Sequence, residues 1–152
     1  MILQFGKYRI NAEPEKTGEF YKTQDFLFGC GCQGCRNLEK AMADIPRPVK
    51  EFFAAFGVDP EKLFDCFTTG MKEKGLGYLG ICFAYGTVLE GDRGTDCSPG
   101  GEYNGYYPVT EDFQVKFNNS TIKLEDSPAE PAVRIEFSAV IPWLLDEEYT
   151  GK

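Results

Sequence analysis

The stretch Leu76-Gly77-Tyr78-Leu79-Gly80-Ile81-Cys82-Phe83-Ala84-Tyr85-Gly86 decides the fold class. Leu79, Ile81, Phe83 and Tyr85 alternate with Gly80, Cys82, Ala84 and Gly86. That period of two belongs to a β-strand, whose successive side chains point to opposite faces. One face is large and apolar and is expected in the core. The other is small, which lets a helix approach closely.

Upstream of this strand the period is 3.6. Cys35, Leu38, Met42 and Ile45 step by 3, 4 and 3 and predict a helix over 35–45, stopped by Pro46 and Pro48. Val49, Phe52, Phe53 and Phe56 form a second apolar stripe, with Gly57 placed as its C-terminal glycine. Asp59-Pro60-Glu61 reads as an N-cap followed by proline, opening a short third helix through Leu63, Phe64 and Phe67. Residues 15–24 are polar and tolerate a helix.

The flanks alternate. Leu3 and Phe5, then Tyr8 and Ile10, change phase at Gly6-Lys7, as a tight hairpin or bulged strand would. Phe113, Val115 and Phe117 form a strand, Asn118-Asn119 is expected to turn the chain, and Ile122 and Leu124 return. Val133, Ile135 and Phe137 alternate with Arg134 and Glu136. Helices followed by strands predict an α+β fold. The expectation is one domain over 1–152. An antiparallel sheet of four to six strands, mostly from 76–141, packs on two to three helices of the N-terminal half. Phe52, Phe53, Phe56, Ile81, Phe83, Val115, Phe117, Ile135 and Phe137 should be core. The Gly/Asp/Pro-rich run 91–105 is longer than most connections in a compact domain, so it reads as a flexible or functional loop.

The chain has 152 residues, 42% of them hydrophobic, and a net charge of −8. The charge is lopsided. Residues 1–75 carry 11 basic and 11 acidic side chains, whereas 76–152 carry 5 and 13. An acidic half argues against nucleic acid and anionic membrane, which both need positive charge, and permits a basic protein partner. No apolar run approaches the ~20 residues of a membrane helix. Met1–Lys7 does not read as a signal peptide, so a cytoplasmic address with reduced cysteines is expected, and the sequons at Asn118 and Asn119 carry no weight.

Three of the six cysteines crowd into Cys30-Gly31-Cys32-Gln33-Gly34-Cys35, and the chain has no histidine. Thiolates hold zinc or run redox chemistry. The missing histidine removes the commonest general base, a common nitrogen ligand, and every Ser-His or Cys-His pair. Three readings stay open. Cys30, Cys32 and Cys35 ligate a structural zinc, with Cys66 the preferred fourth ligand and Cys82, Cys97, an acid or water the others. Cys32 and Cys35 form a redox pair at a helix start, although the parallel βαβ context of such sites is missing. Or the cysteines are small packing residues, a reading favoured for Cys35 by its place on the apolar stripe.

Other motifs carry less. Gly75-x-Gly77-x-x-Gly80 matches a dinucleotide fingerprint by letter, but a strand follows it where a helix is required. Asp92 and Asp96 lack the ladder of a calcium loop. Tyr103, Tyr106, Tyr107 and Trp143 read as anchors for the long loop. The pairs Glu111-Asp112 and Glu147-Glu148 make no glycosidase dyad.

Cys32-x-x-Cys35-Arg36-Asn37, Gly57-Val58-Asp59-Pro60 and Ile141-Pro142-Trp143-Leu144-Leu145 together resemble a set of small uncharacterised bacterial cytosolic proteins. These share C-x-x-C-x-N, G-[VI]-D-P and a terminal P-W-[LV]-L. The resemblance implies a bacterial cytosolic origin and brings no catalytic residue. The functional expectation is a non-enzymatic interaction module with an acidic C-terminal half, of a stoichiometric-inhibitor or immunity type. The alternatives are a thiol-dependent oxidoreductase using Cys32 and Cys35, or a structural-zinc domain. Zinc is the one cofactor under consideration.

Overall fold

The structure, a computed structural model, describes residues 1–25, 31–63, 65–91, 105–124 and 126–151. The hairpin β1 (Ile2–Phe5) and β2 (Tyr8–Ala12) comes first, followed by helices α1 (Pro14–Lys22), α2 (Gln33–Met42) and α3 (Arg47–Phe56). Strands β3 (Asp65–Met71), β4 (Leu76–Glu90), β5 (Tyr107–Thr110), β6 (Phe113–Ile122) and β7 (Glu130–Ile141) follow. All seven strands join one antiparallel sheet in the order β1-β2-β4-β7-β6-β5, with β3 also beside β4. The fold is α+β as expected, with more strands than expected. The strands that the sequence did not show are β3 and β5, the expected hairpin β1-β2 joins the same sheet, and the helices are inserted between β2 and β3 rather than preceding the sheet.

Four local expectations need correction. The third helix is only a 3-10 turn, Pro60–Lys62, capped by Asp59, whose carboxylate accepts from the Glu61 N–H at 3.0 Å. Beyond it the β-branched pair Thr68-Thr69 favours an extended chain, so Cys66 and Phe67 lie on β3. Asn118-Asn119 does not turn: β6 runs through it. Asn119 behaves like a piece of backbone, its Oδ1 accepting from Val88 N–H at 2.8 Å and its Nδ2 donating to Val88 C=O at 3.1 Å. Ile81 and Phe83 are half-buried and not core, although the other seven expected core residues are buried. It is the small face of β4, joined by Tyr78, that turns inward. A Cβ on Gly80 would lie 2.1 Å from Phe137 Cζ, so the Phe137 ring fills the room that the glycine leaves.

The long run 92–104 lies outside the described residues, and with it Asp92, Asp96, Cys97 and Tyr103; Cys30 does too. No helix among the described residues is long and apolar enough to cross a membrane.

The sheet wraps around α3. Phe5 of β1 stacks on Phe56 at 5.7 Å and on Phe117 of β6 at 5.6 Å, and meets Tyr107 of β5 edge-on at 5.6 Å. These rings form one apolar cluster with Phe52 and Phe53. Gly57, at φ +75°, closes α3 in the left-handed conformation, and Pro14 C=O would lie 2.1 Å from any Cβ there.

One edge of β4 is shared by three elements. Leu76–Ile81 pair with β3, and Gly86–Glu90 pair with β2. Between them α1 supplies side chains in place of a strand. The Thr17 hydroxyl accepts from Tyr85 N–H at 2.9 Å, and Tyr21 O–H donates to Phe83 C=O at 2.8 Å. Buried backbone groups need partners, and here two side chains provide them.

Candidate functional site

The cysteine corner is built where α2 meets β3 and β4. Cys32 is the N-cap of α2, in extended conformation, and its Sγ accepts from Cys35 N–H at 3.4 Å. A sulfur in this position does the work of a capping serine oxygen, satisfying one of the helix's orphan donors. Gly34, one residue before Cys35, has room for no side chain: a Cβ would lie 2.6 Å from Thr68 Cγ2 and 4.0 Å from Cys32 Sγ. This contact brings the first turn of α2 onto β3. Cys66, two residues before Thr68, shares its face of the strand and sits opposite Gly80. Cys32, Cys35 and Cys66 are all half-buried.

Tyr78 is the centre of the corner. Its side chain is 1% exposed, and its O–H donates to Gly34 C=O at 2.6 Å. Burial pushes its pKa up to about 12, against the hydrogen bond from Asn37 and helped by the nearby sulfurs of Cys66, Cys35 and Cys32. Three cysteines from two distant segments thus act on one tyrosine. Among the described residues no three His, Cys, Asp or Glu side chains already form a ligand group for a metal ion. Cys30, expected from sequence as a fourth sulfur, is outside those residues. Cys66 belongs to the corner through β3, and not through the third helix that the sequence suggested. Cys82 is 0% exposed on the inner face of β4, and burial drives its thiol pKa far up.

Sequence reasoning missed what the polar residues of α2 do. Together they hold the segment 142–150. Asn37, 0% exposed, donates to Pro142 C=O at 3.2 Å and to Tyr78 Oη at 3.3 Å, and accepts from Leu144 N–H at 2.7 Å. Gln33 donates to Glu147 Oε2 and to Glu148 C=O, both at 2.8 Å, and accepts from Thr150 N–H at 2.9 Å. Arg36 pairs with Glu147, and Lys40 donates to Leu144 C=O at 3.2 Å. The Arg36 guanidinium and the Gln33 amide hold the Glu147 carboxyl below its usual range. Trp143 anchors this segment: its Nε1–H donates to Glu147 C=O at 2.7 Å, and its ring meets Tyr149 edge-on. The C-x-x-C-x-N and P-W-L motifs, far apart in sequence, are therefore two halves of one junction.

No family model matches the chain, and neither a curated protein nor a solved structure matches it.

Proposed function

We propose that the protein is a non-enzymatic protein-interaction module, of the stoichiometric-inhibitor or immunity type, that takes a basic protein partner along β3. The exposed edge of β3 carries this reading. Among the described residues β3 pairs with β4 alone. Phe67 is 57% exposed and Met71 49%, and Thr68 and Thr69 are exposed as well. Folded chains usually shorten, charge or cover such an edge, because it templates strand addition. A partner strand added there gains backbone hydrogen bonds and covers Phe67 beside the half-buried Leu79 and Ile81.

Charge selects the partner. A net charge of −8 attracts basic proteins over long range and repels nucleic acid and anionic membrane. The acids of the second half do not form one bare face. Glu130 pairs with Lys16, Glu136 with Lys116 and Arg134, and Glu111 and Asp112 face Lys74. The acidic excess therefore serves attraction, and β3 serves docking. The polar residues of the cysteine corner support a non-catalytic reading as well, since Gln33, Asn37 and Tyr78 are engaged by the chain's own backbone.

The test compares tagged wild-type protein with Phe67→Glu, an exposed substitution expected to leave the melting temperature unchanged. A basic protein retained in stoichiometric amount at low salt, lost at about 0.5 M salt and lost with Phe67→Glu, is the expected result. Retention indifferent to Phe67, or no stoichiometric basic partner at all, overturns the reading.

A further inference from the structure

We infer that Cys32 and Cys35 form a reversible dithiol–disulfide pair, and that closing it loosens the hold of α2 on residues 142–150. The inference stands independently of the interaction reading. Geometry at the start of α2 carries it. Cys32 is the N-cap and Cys35 the third residue of the helix. The Cys35 N–H donates to the Cys32 sulfur at 3.4 Å, so one sulfur already lies over the residue that bears the other. Side chains three apart on one turn have Cβ atoms about 5–6 Å from each other. A disulfide needs about 3.5–4.5 Å. Cys32 stands outside the helix in extended conformation, so rotation of its own backbone makes up the difference. Both sulfurs also act on one group: burial leads the rise in the Tyr78 pKa, and Cys66, Cys35 and Cys32 add to it.

The chemistry is thiol–disulfide exchange with a low-molecular-weight disulfide such as oxidised glutathione. A thiolate attacks the oxidant, forms a mixed disulfide and releases one glutathione thiol. The second cysteine then displaces the other glutathione and closes the Cys32–Cys35 bond. Two protein thiols are oxidised, one glutathione disulfide is reduced to two thiols, and the two protons leave with them. The attack starts from a thiolate, and the amide N–H groups at a helix start favour anions. Arg36 adds a cation there. Its Nε donates to Gly31 C=O at 3.2 Å, and its pKa is raised by Glu147 first and by Cys32 as well. Cys32 and Cys35 are half-buried and within reach of a small oxidant, whereas Cys82 is 0% exposed.

The fold directs where the strain of closure goes. Turning the Cys32 sulfur toward Cys35 Sγ takes it from the Cys35 N–H and weakens the cap. Gly34 cannot absorb the change, because its C=O accepts from Tyr78 O–H and its Cα lies too close to Thr68 Cγ2 even for a Cβ. The adjustment falls on Cys32 and Gln33. Gln33 is the side chain that holds Glu147, Glu148 and Thr150, and Arg36 of the next turn pairs with Glu147. Oxidation at the start of α2 therefore reaches the segment that carries Trp143.

The experiment equilibrates the full chain with reduced and oxidised glutathione at a series of ratios, quenches with acid, and counts thiols by alkylation of the denatured chain and mass spectrometry. The six cysteines should all alkylate under reducing conditions, and two fewer under oxidising conditions, with no glutathione retained. Cys32→Ser and Cys35→Ser should each abolish the closed form, whereas Cys30→Ser, Cys66→Ser and Cys82→Ala should keep it. Cys32→Ser keeps a capping oxygen, so it should fold and yet fail to close. In urea the oxidised wild type should lose its Trp143 fluorescence ahead of its far-ultraviolet circular dichroism, and Cys32→Ser under the same oxidant should not. Six thiols at every ratio, glutathione held as a stable mixed disulfide, or closure that survives Cys32→Ser overturns the pair. Closure with coincident transitions overturns its coupling to residues 142–150.

Discussion

Replacing Asn37 with alanine removes the amide on which the junction between α2 and residues 142–150 turns. The side chain is 0% exposed and makes three hydrogen bonds. The bond from Leu144 N–H is short, at 2.7 Å, and the two donated by Nδ2 are longer, at 3.2 and 3.3 Å. Tyr78 loses little, since its hydroxyl still donates to Gly34 C=O. The penalty falls on Leu144 N–H and Pro142 C=O, each left without its partner. An unmet buried polar group costs about 1–3 kcal/mol. Weighting the short bond fully and the long one lightly gives about 3 kcal/mol for Asn37→Ala. At about 2–4 °C per kcal/mol for a chain of this size, the melting temperature should fall by about 6–12 °C. The single tryptophan, Trp143, lies between the two backbone groups concerned and makes the assay local. In urea the wild-type fluorescence and far-ultraviolet circular dichroism transitions should coincide. In Asn37→Ala the fluorescence transition should come first, as the segment detaches before the sheet melts. Lys40→Ala, which removes only an exposed contact to Leu144 C=O, should stay within about 0.5 kcal/mol. A loss below about 1 kcal/mol in Asn37→Ala, with both probes moving together, would refute the claim that this amide organises the junction.

Further outcomes follow from other contacts. Gly80→Ala drives a Cβ into the Phe137 ring, which is itself 1% exposed and cannot retreat, so overpacking should cost about 2–3 kcal/mol in denaturant melts. Glu147 has a folded pKa below its unfolded value of about 4.3, so its contribution is complete above that value and is lost as pH falls through the folded pKa. Trp143 fluorescence should report loosening of the segment in acid, and Glu147→Gln should flatten that pH dependence. Tyr78 runs the other way: its phenolate is disfavoured in the fold, so stability should fall as pH rises above about 10, and Tyr78→Phe should remove only its own share of that alkaline loss, because burial also pushes Tyr21 and Cys82 up. Cys82 should resist maleimide at pH 8 in the folded chain and react only on unfolding.

Much of the architecture was legible because its signals are local and strong. The stripe Val49, Phe52, Phe53, Phe56 and the terminal Gly57 define α3 unaided, and the phase change at Gly6-Lys7 defines the first hairpin. The alternation through 79–86 was legible as a strand, but not which of its faces lies inside. Size argued for Ile81 and Phe83, whereas the inward face is the one whose small residues admit Phe137, a partner 57 positions beyond Gly80. β3 was hidden by the chance helical spacing of Leu63 and Phe67. Asn119 reads as a turn residue because its amide competes with backbone, and it does so here across strands, at Val88. At the corner, the first turn of α2 could be anticipated, whereas Cys66 arrives on a strand where the sequence suggested a helix. The grip of Gln33, Arg36 and Asn37 on residues 142–150 could not, since polar residues on a helix look alike until their partners are known.

The three-way division of the β4 edge has a consequence for how this chain can vary. β4 acts as a ruler on which β3, Thr17 and Tyr21 of α1, and β2 are marked in turn. Gly86 fixes one graduation, because at φ +142° its backbone passes so near β2 that a Cβ would lie 2.3 Å from Asn11 C=O. One residue inserted between Ile81 and Gly86 would slide the β2 mark past the β3 mark and turn half of the inward face outward. Length changes are thus confined to connections such as the Lys72–Lys74 turn. Within β4 the spacing is invariant in a way the individual side chains are not.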